Sequence, residues 1–400
     1  MRARVVITGA GTINPLGNTV AATFAAFREG RGAIGPLDIR DLDRLTVRIG
    51  AQVRNFDPAA HFSPREVTLY DRFSAFAVFA ARQAVAQSGL RFEGELAETS
   101  GVILGTAGGG LASSEASYRA VFAEGKSRVH PFTVPRLMAN AAAAHLSIAF
   151  GLQGPAYTVA TACAAANHAM GQAFHLIRCG GAKVMLTGGS EAMLTFGGIK
   201  AWEGLRVLSP DGCRPFCATR SGMVMGEGAA VFVFEDRDHA RARGAEILAE
   251  VAGFGMTADA GDIVMPNESG AVRAMQAALR DAGMGPGEVG YINAHGTGTP
   301  ANDRVESAAI RQVFGESPPV SSTKSAHGHL IGGTGAVELL ACLLALQEAI
   351  IAPTLGFQAA DPDCALDLVT GTARQASVSA CLSNAFAFGG MNAVLALRRG

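Results

Sequence analysis

Cys163 stands at a position where a cysteine can act as a nucleophile. The stretch Thr161-Ala162-Cys163-Ala164-Ala165-Ala166 follows a β-rich run and precedes a helical pattern. A cysteine at a helix N-terminus lies near unpaired backbone N–H groups and the positive end of the helix dipole, which stabilise a thiolate or an oxyanion. A lone cysteine is also commonly a buried structural residue. The alanines around Cys163 leave room for a substrate, so we favour the nucleophile.

Two histidines and a lysine follow later predicted strands. His295 lies in a turn rich in Gly and Thr, and the run Lys324-Ser325-Ala326-His327-Gly328-His329 contains the others. Histidine can donate or accept a proton near neutral pH, and a nucleophile with nearby histidines is a recurrent catalytic pattern. His295, Lys324 and His329 therefore join Cys163 in a candidate Cys-His-His site. The sequence leaves open whether His327 or His329 faces inward.

Two other patterns that suggest bound groups are weak. Cys213 and Cys217 form a C-x3-C pair, but no second pair and no nearby histidine completes a metal site. Gly-rich turns at residues 9–11 and 105–110 lack the full G-x-G-x-x-G spacing and the acidic residue of a dinucleotide site. We therefore expect neither a bound metal nor a bound nucleotide.

Apolar β-rich runs alternate with helical patterns along the chain, which predicts an α/β protein with helices covering a buried sheet. The predicted strands are 5–8, 101–104, 156–160, 184–187, 229–234, 247–253, 289–293, 320–322, 378–383 and 393–397. The predicted helices are 21–28, 73–88, 164–179, 270–282, 303–314 and 335–347.

The two halves of the chain have a similar order of predicted elements. In each half a strand leads to a polar residue at a strand-to-helix junction, Cys163 in one and Lys324 in the other, and then to a long helix. The charged stretch 235–245 is typical of a surface crossing. We interpret this as an internal duplication with halves at residues 1–245 and 246–400.

Composition excludes several classes of function. Of 400 residues, 49% are apolar and 17% charged, which argues against disorder. The net charge of -1 offers no basic surface for nucleic acid or for an anionic membrane. Seven scattered cysteines favour a reducing compartment, and the chain shows neither a signal peptide nor an apolar run long enough to span a membrane. We expect a cytoplasmic protein.

Four motifs, taken in order, closely resemble the elongating β-ketoacyl-[acyl carrier protein] synthases of the synthase II type. They are Thr161-Ala162-Cys163, His295-Gly296-Thr297-Gly298-Thr299-Pro300, Lys324-Ser325-x-x-Gly328-His329 and Ser383-Asn384-Ala385-Phe386-Ala387-Phe388-Gly389-Gly390. The shorter segment 206–228 is more similar to the nodulation-type synthases of rhizobia. The resemblance implies a thiolase-like fold of five layers, α-β-α-β-α, with two duplicated halves.

The resemblance also implies a role for each candidate residue. Cys163 would accept the acyl group, with the N–H groups of Cys163 and Phe388 as the oxyanion hole. His295 and His329 would support malonyl decarboxylation. The remaining implied roles are electrostatic support by Lys324 with Asp303, Glu306 and Glu338 as its acidic neighbours, binding of phosphopantetheine by Thr297 and Thr299, and contact with the acyl chain at Phe386 and at Gly108, where the family often has a branched apolar residue.

By the same resemblance, the expected reaction is decarboxylative Claisen condensation of an acyl thioester with malonyl-[acyl carrier protein], in fatty-acid or specialised lipid or polyketide synthesis. No cofactor would be bound, because the phosphopantetheine arm arrives on the acyl carrier protein. The expected assembly is a homodimer, and a heterodimer with a related subunit is open. The alternative function is that of a chain-length-determining partner in a heterodimeric ketosynthase, but such subunits typically lack the nucleophile.

Overall fold

Strands and helices alternate along the whole chain. The computed structural model describes residues 3–400. Its strands are β1 (Val5–Ile13), β2 (Ile34–Pro36), β3 (Ile49–Ala51), β4 (Ser100–Gly105), β5 (Ala156–Val159), β6 (Val184–Glu191), β7 (Gly228–Asp236), β8 (Ala249–Ala258), β9 (Tyr291–Asn293), β10 (Val320–Ser321), β11 (Ile350–Ile351), β12 (Arg374–Gln375), β13 (Ala380–Ala387) and β14 (Met391–Arg398). Its α-helices are α1 (Val20–Glu29), α2 (Pro64–Leu69), α3 (Arg72–Ser88), α4 (Glu95–Glu98), α5 (Leu111–Tyr118), α6 (Thr133–Leu137), α7 (Ala141–Phe150), α8 (Ala165–Arg178), α9 (Phe196–Gly204), α10 (Arg237–Ala242), α11 (Glu268–Ala282), α12 (Pro300–Phe314), α13 (Lys324–His327) and α14 (Thr334–Glu348).

Two five-stranded units with the same strand order make up the main sheet. The order is β5-β4-β6-β7-β1 in the first unit and β10-β9-β13-β14-β8 in the second. In each unit the first two neighbouring pairs are parallel and the last two are antiparallel. Within residues 3–400, three residue pairs between β1 and β8 join the two units into one sheet. The predicted boundary near residue 245 lies in the connection between α10 and β8, and as a domain boundary it stays a prediction.

Helices and sheets form five layers. Helices α8 and α14 contact strands of both units and therefore lie between them. On the outer faces, α3 packs on β1 and β7, and α11 packs on β8 and β14. The order of layers is thus helix, sheet, helix, sheet, helix. This confirms the expected α-β-α-β-α arrangement.

The central helix α14 is apolar along its length. The segment Ile331–Glu348 is the only one within residues 3–400 that is long and apolar enough, by length and composition alone, to cross a membrane. In the structure 89% of it is buried inside the fold. Since the two sheets cover it on both sides, its composition is that of a core helix.

All ten strands predicted from the sequence belong to the main sheet, and all six predicted helices are present. The sequence pattern missed the two small sheets, β2 with β3 and β11 with β12. These strands have two or three residues each, too few to show an alternating pattern. Several short helices between residues 64 and 150 were also missed.

Glycines at two strand ends let α8 approach the sheet closely. Gly105 ends β4, and a Cβ there would overlap the backbone of Ala165 and Ala166 in the first turn of α8. Gly189, on the neighbouring strand β6, faces the Ala166 side chain in the same way. The position of Cys163, immediately before this turn, depends on the close approach.

Gly105→Ala should therefore destabilise the protein and displace the start of α8. We expect a loss of about 1–3 kcal/mol in the free energy of unfolding, because the new methyl group meets backbone atoms that cannot move aside. Urea unfolding gives this value. Gly35→Ala is the matched control, since a Cβ on that strand glycine meets nothing within 4 Å. Equal stability of the two variants would contradict the account.

Candidate active site

A cavity of about 260 Å³ opens beside the first turn of α8. Seven of the residues predicted for the site line it, namely Cys163, His295, Thr297, Thr299, His329, Phe386 and Phe388. The sulfur of Cys163 and one ring nitrogen from each of His295 and His329 lie within 4.8 Å of one another. The structure thus brings together three residues that are far apart in the sequence.

Cys163 reaches the cavity from a tight turn between β5 and α8. Ala162 has a positive φ of 46°, which is uncommon for a residue with a side chain, and a short 3-10 helix then leads into α8. Burial raises the pKa of the Cys163 thiol to about 12, against the opposing effects of the Lys324 charge and the backbone N–H groups of Phe388 and Cys163. Burial thus has a larger effect on this thiol than the backbone N–H groups at the helix terminus, which act in the expected direction.

The backbone fixes the hydrogen of His329 on Nε2. The N–H of Ile331 donates to His329 Nδ1 at 3.1 Å, and the hydroxyl of Thr334 lies 3.0 Å from the same atom. A backbone N–H can only donate, so Nδ1 must be the acceptor and Nε2 must carry the proton. Nε2 has no hydrogen-bond partner within residues 3–400. His329 thus offers one N–H donor from a ring on the cavity wall.

His295 lies beside His329 and is also neutral. The two imidazoles meet edge to face with centroids 5.6 Å apart. Burial, with the Lys324 charge second, holds the pKa of both rings well below the usual value. Nδ1 of His295 has no partner among the described residues. The cavity therefore holds two uncharged imidazoles at neutral pH.

Lys324 supports the site from behind. It is fully buried, and its Nζ donates to the Glu338 carboxylate at 2.5 Å and to the backbone carbonyl of His295. Burial raises the pKa of Glu338 to about 7, with the Lys324 charge opposing the rise. Removing one partner of such a buried pair typically costs about 3–5 kcal/mol. The pair therefore keeps Lys324 in place, and Lys324 in turn holds the His295 carbonyl.

Glu306 and Asp303 hold the same turn in different ways. Glu306 accepts hydrogen bonds from the N–H groups of His295 and Gly296. Asp303 accepts from the N–H groups of Phe216 and Gly298, and Arg220 is the cation next to it, at 3.9 Å. Lys324 forms its ion pair with Glu338 and Asp303 lies next to Arg220, so a role for Asp303 as an acidic neighbour of Lys324 stays a prediction.

Most residues predicted to contact substrate line the cavity, but Gly108 does not. The hydroxyls of Thr297 and Thr299 lie 2.8 Å apart at the cavity wall, and Phe388 stacks on Trp202 with centroids 5.8 Å apart. The Cα of Gly108 faces Met193, which a Cβ would meet at 3.1 Å. A role for Gly108 in chain-length selection stays a prediction.

The structure separates the two histidines that the sequence could not. His327 is fully buried, with Nδ1 2.8 Å from the Gly328 carbonyl and Nε2 3.0 Å from the Thr323 hydroxyl. Both ring nitrogens are therefore occupied, and burial lowers the pKa of the ring to about 3. His329 is the member of the pair that faces the cavity.

Glu191 and Trp202 were not predicted from the sequence. Trp202 is the only tryptophan in the chain and forms part of the cavity wall. Glu191 is a fully buried carboxylate at the end of β6. A polar residue at a strand end was the signal that identified His295, and the same signal was available for Glu191.

The three cavity residues are better suited to an oxyanion than to a metal ion. Cysteine and histidine are common metal ligands, and their spacing here is short. A histidine ligand must present a lone pair, but the Ile331 N–H leaves His329 with a protonated Nε2. The site is therefore arranged as a thiol beside N–H donors, which suits chemistry at a thioester carbonyl.

Comparisons with known proteins agree with this geometry. The family model "Beta-ketoacyl synthase, N-terminal domain" matches residues 2–240, and "Beta-ketoacyl synthase, C-terminal domain" matches residues 248–358. Nodulation protein E of Rhizobium sp. (strain N33) is 48% identical, over 100% of both chains. The 3-oxoacyl-[acyl-carrier-protein] synthase 2 of Synechocystis sp. (strain ATCC 27184 / PCC 6803 / Kazusa) is 41% identical, over 99% of this chain and 98% of that protein.

Solved structures give the same result. The ishigamide ketosynthase/chain length factor matches with a TM-score of 0.96 at 35% identity, over 100% of both chains. A ketosynthase solved in complex with its type II PKS acyl-carrier protein matches with a TM-score of 0.91 at 29% identity, again over 100% of both chains. With family models over most of its length and relatives at more than 40% identity, the chain belongs to the beta-ketoacyl synthase family of condensing enzymes.

Proposed function

We propose that this enzyme extends an acyl chain by decarboxylative condensation with malonyl-[acyl carrier protein], using Cys163 as the nucleophile. The observation that carries the proposal is the grouping of the Cys163 sulfur with two neutral imidazoles in one buried cavity. The reaction has two halves, and each uses a different part of this group.

In the first half, Cys163 takes the acyl group. Its sulfur forms a bond to the thioester carbonyl carbon, and the carrier thiol leaves with the proton that Cys163 gives up. Negative charge develops on the carbonyl oxygen during the attack, and preorganised N–H donors stabilise such charge. The backbone N–H groups of Cys163 and Phe388, which lower the pKa of this thiol, are the proposed donors.

In the second half, the malonyl thioester loses carbon dioxide, and the electron pair of the broken C–C bond remains on the thioester as an enolate. Neutral His329, through Nε2–H, and His295 donate to the enolate oxygen. The enolate carbon then attacks the acyl carbonyl carbon, the bond to the Cys163 sulfur breaks, and the thiolate takes a proton from solvent. Neutral imidazoles suit this step because each already carries one N–H and need not take up a further proton before it can donate a hydrogen bond.

The substrates arrive on a carrier protein rather than on a bound cofactor. The paired hydroxyls of Thr297 and Thr299 lie on the cavity wall, where they can bind the amides of a phosphopantetheine arm. One structural neighbour is a ketosynthase in complex with its acyl-carrier protein, which supports the same type of partner here. We place the enzyme in the cytoplasm, where carrier-bound substrates and free thiols coexist.

The pathway is a specialised one. Identity to nodulation protein E is 48%, against 41% to a 3-oxoacyl-[acyl-carrier-protein] synthase 2. The alternative role, a chain-length-determining partner of a heterodimeric ketosynthase, draws support from the ketosynthase/chain length factor neighbour. The intact group of Cys163 and two histidines favours the catalytic role.

Strand β5, at one of the two edges of the main sheet, is the proposed dimer contact. Strand β5 is the last strand of the order, and Tyr157 on it is 40% exposed. An exposed edge strand pairs readily with another strand, and two-fold dimers are the commonest assemblies. Light scattering on the purified protein distinguishes a dimer from a monomer.

Cys163→Ala should abolish acyl transfer, because no other cysteine lies in the cavity. Intact-mass measurement after incubation with an acyl-[acyl carrier protein] detects the covalent adduct. Cys179→Ala is the control, since Cys179 is the one exposed cysteine of residues 3–400. It should acylate as the wild type does. An adduct that persists in Cys163→Ala would refute the assignment.

His295→Ala and His329→Ala should each slow malonyl decarboxylation more than acyl transfer. Loss of one oxyanion donor typically costs about 100- to 1,000-fold in rate. Release of labelled carbon dioxide measures decarboxylation, and single-turnover acylation measures transfer. His130→Ala, at an exposed position, should change neither rate. Full decarboxylation in both cavity variants would rule out these roles.

A further inference from the structure

Glu191 is a buried carboxylate that joins two turns next to the cavity. It ends β6 and has no exposed surface. It accepts hydrogen bonds from the Thr106 hydroxyl at 3.0 Å, the Ala107 N–H at 2.7 Å, the Gly108 N–H at 3.2 Å and the Gly332 N–H at 3.1 Å. Every backbone group in this set can only donate, so the carboxylate is required as an acceptor.

The Gly332 contact lies directly beside the residue that orients His329. Ile331, the preceding residue, has a positive φ of 46°, and a β-branched residue adopts this conformation only when its surroundings enforce it. In this conformation the Ile331 N–H donates to His329 Nδ1. The next N–H along the chain, that of Gly332, is the one held by Glu191.

Close packing leaves this turn few other positions. A Cβ on Gly332 would overlap the backbone of Ala107 and would meet the Glu191 carboxylate at 2.7 Å. The turn at Gly332 thus lies directly against the turn at Ala107, with the carboxylate between them. Such a three-way contact fixes the peptide between Ile331 and Gly332 in one orientation.

We infer that Glu191 is a positioning residue for His329, holding the Ile331–Gly332 peptide so that the Ile331 N–H keeps the imidazole proton on Nε2. The inference rests on the proposed function in one respect, that His329 acts as a donor in decarboxylation. Glu191 itself does not line the cavity.

The charge of Glu191 has a second effect, on Cys163. This charge is the smallest of the five effects on the pKa of the Cys163 thiol and is opposite in sign to that of Lys324. Burial raises the pKa of Glu191 itself to about 7, so this effect grows above neutral pH. Loss of the charge should therefore make the thiolate easier to form. A substitution at Glu191 is then expected to slow the step that uses His329 while leaving or increasing thiol reactivity, a pattern that general damage to the fold does not produce.

The test compares Glu191→Gln and Glu191→Asp with Glu235→Gln. In Glu191→Gln an NH2 group replaces one carboxylate oxygen and cannot accept from the backbone N–H groups, so the hydrogen bonds to one of the two turns are lost. Glu191→Asp keeps the negative charge on a shorter side chain. Glu235 is an equally buried acid bonded to Thr8 and Arg243, far from the cavity. Three rates are measured, which are carbon dioxide release from malonyl-[acyl carrier protein], acyl transfer and alkylation of Cys163 by iodoacetamide.

In Glu191→Gln we expect carbon dioxide release to fall about 10- to 100-fold, by analogy with the loss of partners that orient metal-binding histidines. Alkylation of Cys163 should stay equal or become faster. Glu191→Asp should lie between Glu191→Gln and the wild type, and Glu235→Gln should keep the wild-type ratio of the three rates. Unchanged carbon dioxide release, or an equal fall in all three rates, would overturn the inference.

A crystal structure of Glu191→Asp or Glu191→Gln gives an answer that does not depend on the reaction. The inference expects Ile331 to leave its left-handed conformation or the Ile331 N–H to leave His329 Nδ1. An unchanged Ile331–His329 contact in both variants contradicts it. A wild-type enzyme that releases no carbon dioxide would instead count against the proposed function, and the structural result would still decide the role of Glu191.

Discussion

One hydrogen bond, from the Ile331 N–H to His329 Nδ1, sets the chemistry of the cavity. Because a backbone N–H can only donate, Nδ1 must accept and the proton of the ring must lie on Nε2. Burial then keeps the imidazole neutral, so the group remains an N–H donor rather than a base. A thiol beside such donors can form a thioester and stabilise an enolate in the same cavity, which is what a condensing enzyme requires.

The fold holds this arrangement through its central layer. Helices α8 and α14 both begin beside the cavity, one just after Cys163 and the other just after the turn that follows His329. Glycine and alanine at the strand ends allow these helix starts to approach the sheets closely. The buried pair of Lys324 and Glu338 joins α13 to α14 and supports the His295 backbone. Little of the site is therefore free to relax when one residue is changed.

Much of this was predictable from the sequence, and the failures have physical causes. Apolar β-rich runs identified every strand of the main sheet, and polar residues after strands identified Cys163, His295 and His329. The raised pKa of the Cys163 thiol could not be predicted, because the balance between burial and a helix terminus depends on depth in the fold. The partners of Asp303 and the choice between His327 and His329 depend on side-chain direction, which spacing does not encode. Glu191 stands at a strand end as His295 does, but three of its four hydrogen-bond donors are backbone N–H groups, which no sequence pattern reveals.

The most direct test of this account is the ¹⁵N NMR spectrum of histidine-labelled protein, with His329 assigned by the signals lost in His329→Ala. The account predicts one neutral tautomer, protonated at Nε2, that persists at pH values where free histidine is half protonated. Its Nδ1 should show the shift of an unprotonated, hydrogen-bonded nitrogen. Imidazolium signals from His329 at neutral pH, or a proton on its Nδ1, would contradict the central claim.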